Sequence, residues 1–578
     1  MKKLQLVLVS LFVSTGLVAS SSAAINSVGD PGRFWPQPND DALGLHIQQF
    51  SGTSLSEPIS FLVPGQLPDV ITTDPTCQSM SDSKCIGKEL QFSAVLPLCT
   101  TESSVDCIQG FGTITATGER VKATYLRYFP TQSQNAYSGN PNAQLPDGAS
   151  GSIWELNAAG HDGGSLYYLA PMLTGSVSSN GSVKYPKLQI QLSPVNLELT
   201  TGLHATRDSG WSEIYFPNSG QTRWGIMGGG ATTGNQSCAA TSSKEKLCAQ
   251  KFAFPAETRF YVELRVTSSI GGWMHGRISS PEIQITQQSE YSLLEFQGNP
   301  IAVPLIYKLY RYTEMPEDLK KWYDVEKGGY KPSCFDSMAY CAGGRTGPSS
   351  DPLNRNVIIS PEPWDRFGMD QLKLWIPYIN DKATALPSYW NVRSLSDFEM
   401  ENAGACFKDN SKITGIVSTN STQYSAGPPT LDKAEGTLSY QVAAPHFGTN
   451  GEVFKGSYDL VMRSDVARCV YGFSKAPIQA TLAITSSDGS PQIATTVIGE
   501  RDGWLFLRAK NFEFSAPIIK AKLTQEVPAA EQTPTPTTTP SATTAVKTRK
   551  AITCTKGKIL KKVTGVNPKC PSGYKKKA

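Results

Sequence analysis

From Ile59 to Thr524 the chain repeats one device: a short run rich in β-branched and aromatic residues, then a cluster of turn formers. ISFLV, KELQFSAVL, RVKATYLRYF, SIWEL, SLYYLAPML, KLQIQL and NLEL come first, and YDLVMR, ARCVYGF, IQATLAIT, QIATTVI, GWLFLRA and IIKAKLT come later. Runs of this length and content read as strands. In TRFYVELRVT the alternation places Phe260, Val262 and Leu264 on one face and Tyr261, Glu263 and Arg265 on the other, so one face is expected to be buried and the other wet. Asn180-Gly181, Asn450-Gly451 and Asp488-Gly489 supply hairpin turns. With 50 Gly and 39 Pro, long helices have little room, and the expected class is all-β. A helix is expected only near Glu317 to Lys327, where Leu319, Trp322 and Tyr323 share a face and Gly328-Gly329 follows.

Length then sets the divisions. Residues 1–23 read as a signal peptide, since Met1-Lys-Lys precedes an apolar run from Leu4 to Val18 and small residues from Ala19 to Ala24. Two β-sandwich-like domains are expected, at 24–300 and 301–526. A faint internal repeat sets YVELRVTSSIGGWMHGRISSP, with Gly276 five residues before Pro281, against YDLVMRSDVARCVYGFSKAP, with Gly472 five before Pro477. Residues 527–550, rich in Thr and Pro and poor in apolar side chains, read as a disordered linker. Residues 551–578 form a small basic module, with two short strands expected around Lys556-Gly557-Lys558.

Charge is distributed unevenly along this plan. Lys547 to Ala578 holds eleven Lys or Arg and no acid, while the rest of the chain keeps 42 of the 53 basic groups against 49 acidic ones. A positive tip on a net-negative body points to an anionic cell-wall polymer or membrane surface as partner, with no specific nucleic acid. Lys556, Lys558, Lys561, Lys562, Lys569, Lys575, Lys576 and Lys577 are the expected anion-binding residues.

The twelve cysteines fit export. Cys77 with Cys85, Cys99 with Cys107, Cys238 with Cys248 and Cys334 with Cys341 are close in sequence, leaving Cys406 with Cys469 and Cys554 with Cys570. Cys77 to Cys107 crossing over Cys85 to Cys99 is an alternative. The longest loop, at 406–469, should constrain the unfolded chain most, by about 4 kcal/mol in the chain-entropy model. No CxxC occurs and only five histidines are present, so no metal or other cofactor is expected.

Catalytic motifs are missing. There is no GxSxG elbow, no HExxH, and Gly228-Gly229-Gly230 lacks the Lys of a phosphate loop. The nearest approach to a glycosidase ExDxxE is Glu500-Arg-Asp502, which reads as surface charge around an Asp-Gly turn. His161 is expected in an exposed turn and His275 packed beside Trp273; Glu362, Asp365 and Asp370 around Trp364 read as a solvated loop. No catalytic residue is assigned. If Pro217 to Gly220 is a turn, Phe216 faces Gln221, and Trp211, Tyr215 and Trp224 share a face that would suit sugar stacking.

The ending ITCTKGK…KKVTGVNPKCPSGYKKK, the block CVYGFSKAPIQATLAITSSDG…IATTVIGERDGWLFLRA and GWMHGRISSP resemble secreted actinobacterial proteins of unassigned function. That resemblance implies a surface module shared behind Thr/Pro linkers and carries no catalytic residues. The resulting expectation is a secreted, non-enzymatic cell-surface protein held by its basic tip. The alternative is a secreted carbohydrate-active enzyme or sugar-binding protein, which two carboxylates about 5 to 9.5 Å apart in a cleft would favour.

Overall fold

The computed structural model describes residues 44–47, 55, 58–199, 210–216, 221–227, 238–306, 308–311, 316–324, 345–346, 356–359, 368–474, 478–485, 490–492, 495–514, 517–525, 550–557, 559–565 and 567–577. The signal segment, nearly all of the Thr/Pro stretch, Asp488-Gly489, Cys334, Cys341 and Glu362 to Asp365 lie outside them. The chain is all-β and divides into two units, 1–526 and 527–578.

One strand, Gly272–Gln287, organises the body. Its first part pairs antiparallel with Ser388–Ser394 and parallel with Ile413–Thr419. Its second part pairs with Ser292–Ala302 after a register shift between Ser279 and Glu282. The shift is a bulge: Ser280 sits at φ 54° and its N–H is donated to Asp459 Oδ2 at 3.1 Å. A bulge of this kind bends the strand and lets it pass from one sheet to another. Both faces of its first half are therefore covered. Met274 and Ile278 enter one hydrophobic core, whereas Trp273 enters the other.

The larger core lies between two layers. Phe111, Phe260, Val262 and Phe296 come from the Cys107–Ile114, Arg259–Val266 and Ser292–Ala302 strands, and Trp154, Tyr167, Leu169, Leu188 and Ile190 from the Gly151–Glu155, Leu166–Val177 and Val183–Leu199 strands. Phe111 meets Trp154 edge-on and stacks on Phe260. The smaller core joins Val417, Leu460, Met462 and Leu507 of the large sheet to Leu438, Tyr440, Ile519 and Leu523 of a five-stranded one, with Tyr440 and Tyr458 in ring contact across it. Both cores are sandwich-like. Ladders cross the boundary expected at residue 300, since Val183–Leu199 pairs with Ser388–Ser394 and Gly272–Gln287 with Ile413–Thr419.

The expected turns form where they are described. Gly181 at φ 82° closes the hairpin between Leu166–Val177 and Val183–Leu199, with Ser178 N–H donating to Ser182 O. Asp502 and Gly503, at φ 52° and 77°, make the two-residue turn between paired Arg501 and Trp504. Positive φ at both central positions is the geometry that matches strand twist, and it favours the Asp-Gly step found there. Gly451 turns at φ 84°.

Three expectations need correction. ARCVYGF is not a strand: Ser464–Tyr471 is a helix, with Asp465 in its first turn, Val466 and Ala467 buried, and Gly472 capping it at φ 67°. Its periodicity was masked by a strand that runs straight into it. This also removes the internal repeat, because the matching Gly276 lies inside a strand. The helix expected near Glu317 is present over Glu317–Asp324 with Leu319 buried, but Gly368–Trp375 is helical as well. Finally, Tyr261 and Arg265 are buried, so the Arg259–Val266 strand does not turn that face to water. Arg120 lies 3.9 Å above the Tyr261 ring centroid, and Arg265 Nη1 donates to the Thr101, Glu102 and Ser104 carbonyls.

Five disulfides are described: Cys77–Cys85, Cys99–Cys107, Cys238–Cys248, Cys406–Cys469 and Cys554–Cys570. The local pairing at 77–107 forms in place of the crossed one. Bridges of this number suit an oxidising, extracellular setting.

Candidate functional site

The body's most developed polar centre grows from the strand that lies between the two cores. Because Trp273, His275 and Arg277 alternate onto one face of a strand covered on both sides, the two polar residues are buried with the tryptophan. His275 stacks on Tyr424, with ring centroids 3.9 Å apart and planes 7° from parallel. Arg277 is fully buried, donates from Nη1 to Thr419 O at 2.6 Å and Ser421 O at 2.8 Å, and lies 5.0 Å over the Tyr424 ring. Next to them Arg393 binds Glu399 through two hydrogen bonds of 2.6 and 2.7 Å. Ser396 adds its N–H and hydroxyl to the same carboxylate. Burial, then the charges of Arg277 and Arg393, hold the His275 pKa well below the usual histidine value. His275 Nε2 has no hydrogen-bond partner among the described residues.

Glu399 and Tyr424 also line a cleft of about 700 Å³, with Phe398, Glu401, Asn402, Lys433 and Gln441. Phe398 is 59% exposed at this cleft, a large ring offered to solvent. Glu399 is already committed to Arg393, so Glu401 is the remaining carboxylate among the lining residues.

A second pair of carboxylates sits on a sheet face. Glu263 and Glu295 are direct cross-strand partners, and Arg120 bridges them, donating to Glu295 at 2.9 and 3.0 Å and to Glu263 at 2.9 Å. Burial and the neighbouring Glu295 push the Glu263 pKa up against the pull of Arg120. The two form a charge cluster closed by its own arginine. Sequence reading missed it because Glu263 and Glu295 meet only through strand register.

The expected site residues are dispersed. His161 is in its turn but half-buried: its Nε2 is 2.8 Å from Leu166 O, its Nδ1 accepts from Gly163 N–H, and its ring contacts Tyr167 and Phe252. Burial lowers its pKa. Asp370 is exposed on its helix. The 211–227 hairpin pairs as expected, with Phe216 opposite Gln221 and Glu213 opposite Trp224. Trp211, however, is buried edge-on against Phe61, which withdraws its ring from sugar stacking, and its backbone N–H is donated to Asn135 Oδ1. Trp224 is half-buried with its backbone N–H donated to Ile71 O, and the Tyr215 side chain lies outside the described residues.

The C-terminal unit is a three-stranded sheet in the order 559–565, 550–556, 575–576. Register places Ile552, Cys554, Lys556, Ile559, Lys561, Val563 and Lys576 on one face, and Ala551, Thr553, Thr555, Leu560, Lys562, Thr564 and Lys575 on the other. Cys554 is fully buried, with Ile552 and Val563 half-buried near it. Lys556, Lys561, Lys562, Lys569, Lys575, Lys576 and Lys577 are all exposed, while the Lys558 side chain lies outside the described residues. Both faces therefore carry positive charge, and the disulfide holds the centre.

Among the described residues no three His, Cys, Asp or Glu side chains gather as metal ligands, and no helix is long and apolar enough to cross a membrane. Compared with protein-family models, curated proteins and solved structures, the chain matches none.

Proposed function

We propose that this is an exported, non-enzymatic surface protein whose disulfide-stapled β body is displayed by a basic C-terminal module that attaches to an anionic surface. The observation that carries this reading is the segregation of charge: eleven cations and no anion in residues 547–578, beside a body with an acidic excess. Exposed lysines on both faces of a disulfide-closed sheet contact a polyanion without desolvation of buried charge. Such contact is screened over about 8 Å at physiological salt, so attachment should weaken steeply as salt rises. The test is to wash cells bearing the full chain, or a chain ending at Thr544, with rising salt. Early release of the truncated chain supports the attachment; identical release of both refutes it.

The cleft supports a second reading, a sugar-binding body. An exposed Phe398 beside Asn402, Gln441, Glu401 and Lys433 combines a stacking ring with hydrogen-bonding groups, as carbohydrate sites require. Titration with surface polysaccharide fragments should give binding that Phe398→Ala abolishes; silence across neutral and acidic fragments would remove this reading.

A further inference from the structure

The hairpin tip carries a feature that polyanion attachment leaves unused. The strands Lys550–Lys556 and Ile559–Gly565 pair up to Lys556 and Ile559, where Gly557 turns at φ 61°. The first two residues after it are apolar and lie bare: Ile559 is 61% exposed and Leu560 58%. A scattered exposed leucine is ordinary. These two are adjacent, so they point to opposite faces and put one aliphatic side chain on each side of the hairpin's end. Ile559 shares a face with Ile552, Cys554 and Val563 but lies beyond them, next to the turn. Leu560 lies opposite Thr555 on a face otherwise built of Thr, Ala and Lys.

Charge lies level with these two residues and behind them. Lys556 is the ladder partner of Ile559, and Lys561 and Lys562 follow Leu560, one on each face; all three are exposed. Two bare aliphatic side chains set among lysines on both faces match the interface of an anionic bilayer, where the acyl boundary takes the apolar groups and the phosphates take the ammonium groups. Residues next to the turn, at about 3.4 Å of rise each, fall within the roughly 5 to 10 Å to which interfacial segments bury an apolar face. The lysine stems would lie along the boundary with their ammonium groups among the headgroups. At seven residues the strands are shorter than the roughly 9 to 11 needed to span a membrane, so the hairpin would dip and not cross. A dissolved wall polymer offers the same negative charge but no phase that would take up two aliphatic side chains.

We infer that the anionic surface is a phospholipid bilayer, into whose interface the hairpin inserts Ile559 and Leu560 while the flanking lysines hold the headgroups. This rests on the attachment reading above and narrows it to one partner.

The test uses the full, oxidised chain and its Ile559→Ser/Leu560→Ser variant. Each is titrated with vesicles of equal phosphatidylglycerol and phosphatidylcholine, with pure phosphatidylcholine vesicles, and with soluble polyphosphate. Both substituted positions are exposed, so the variant should fold; a thiol count of zero checks its bridges. The native chain should bind the mixed vesicles far better than the neutral ones and keep a salt-resistant fraction. The variant should lose about tenfold to a hundredfold in vesicle affinity, as expected for withdrawing two aliphatic side chains that are each about half immersed in an apolar phase, with polyphosphate binding within twofold of native. Equal vesicle binding by the two proteins, or native binding to polyphosphate but not to vesicles, overturns the inference and leaves electrostatic attachment standing. Failure to bind either anionic probe refutes the attachment reading itself.

Discussion

The Gly272–Gln287 strand and the 550–565 hairpin are both paired β-structure, yet they are held by opposite means. The strand is covered on both sides, so its alternation divides the first half between Met274 and Ile278 in one core and Trp273, His275 and Arg277 toward the other. Among the described residues of the hairpin one side chain is fully buried, Cys554, and its disulfide partner is on the segment that returns to it. In the body, polar groups are a burden that has to be paired. In the module they are the surface, and cohesion comes from a covalent bond. The comparison teaches that one secondary structure can serve a two-layer core or a small cationic probe, and that the second needs a staple.

The largest effect should come from breaking the pairing in the body. Arg393→Ala leaves Glu399, whose side chain is fully inaccessible, as a buried charge without its partner. A loss of about 3 to 5 kcal/mol in unfolding free energy is expected, measured by denaturant titration. Replacing both residues together, Arg393→Met with Glu399→Leu, should cost less than the single change. If the single change costs no more than a surface substitution, the pair does not hold the centre together.

Removing the staple comes next. Cys554→Ser/Cys570→Ser opens a loop of 16 residues and should cost the module about 3 kcal/mol. Hydrogen exchange at the Ile552 and Val563 amides, a directly paired couple in the ladder, should accelerate while the body's melting transition is unchanged. Slow exchange retained in the variant would show that backbone pairing alone suffices.

A smaller effect distinguishes the body by pH. His275 is buried neutral, with its folded pKa depressed by burial and by Arg277 and Arg393. Below about pH 6.5 the unfolded chain takes up a proton that the folded one refuses, so stability present at neutral pH is lost as pH falls, by about 1.4 kcal/mol per pH unit from this group until its folded pKa is reached. Burial raises the pKa of Asp106 and Asp459, which act with opposite sign at lower pH, in the carboxylate range. His275→Phe keeps a ring on Tyr424 and should flatten the slope between pH 6.5 and 5. An unchanged slope would mean that His275 titrates freely.

Period-two alternation made most of the body legible, because a strand's face pattern is local. The Asn-Gly and Asp-Gly turns could be read for the same reason, and so could the short disulfides. One miss was local, and the others were set by distant partners. Ser464–Tyr471 looks like a strand until Gly472 is seen to cap a helix, and Trp211 looks like a stacking platform until Phe61, far away in sequence, covers it. The centre at His275 needs Arg393, Glu399 and Tyr424 to be brought in by other strands and turns, and no spacing in the chain announces that. The module was the easiest part to read, since its charges and its bridge lie within 32 consecutive residues.

The smallest expected effect sharpens the comparison most. If Ile559 and Leu560 belong to the hairpin's working end and not to its cohesion, then Ile559→Ser/Leu560→Ser should change the module's stability by no more than about 0.5 kcal/mol, as for surface positions generally. Ile552→Ser, at a half-buried position on the Cys554 face, should cost more, because it removes packing from the side of the sheet that the disulfide closes. Both variants change aliphatic side chains to serine in the same short sheet, so the difference between them reports position and not composition. Protection of the Ile552 and Val563 amides, read with the body as internal reference, measures it. Equal destabilisation by the two variants would place the tip inside the module's own core, and its exposure would then have no function to explain.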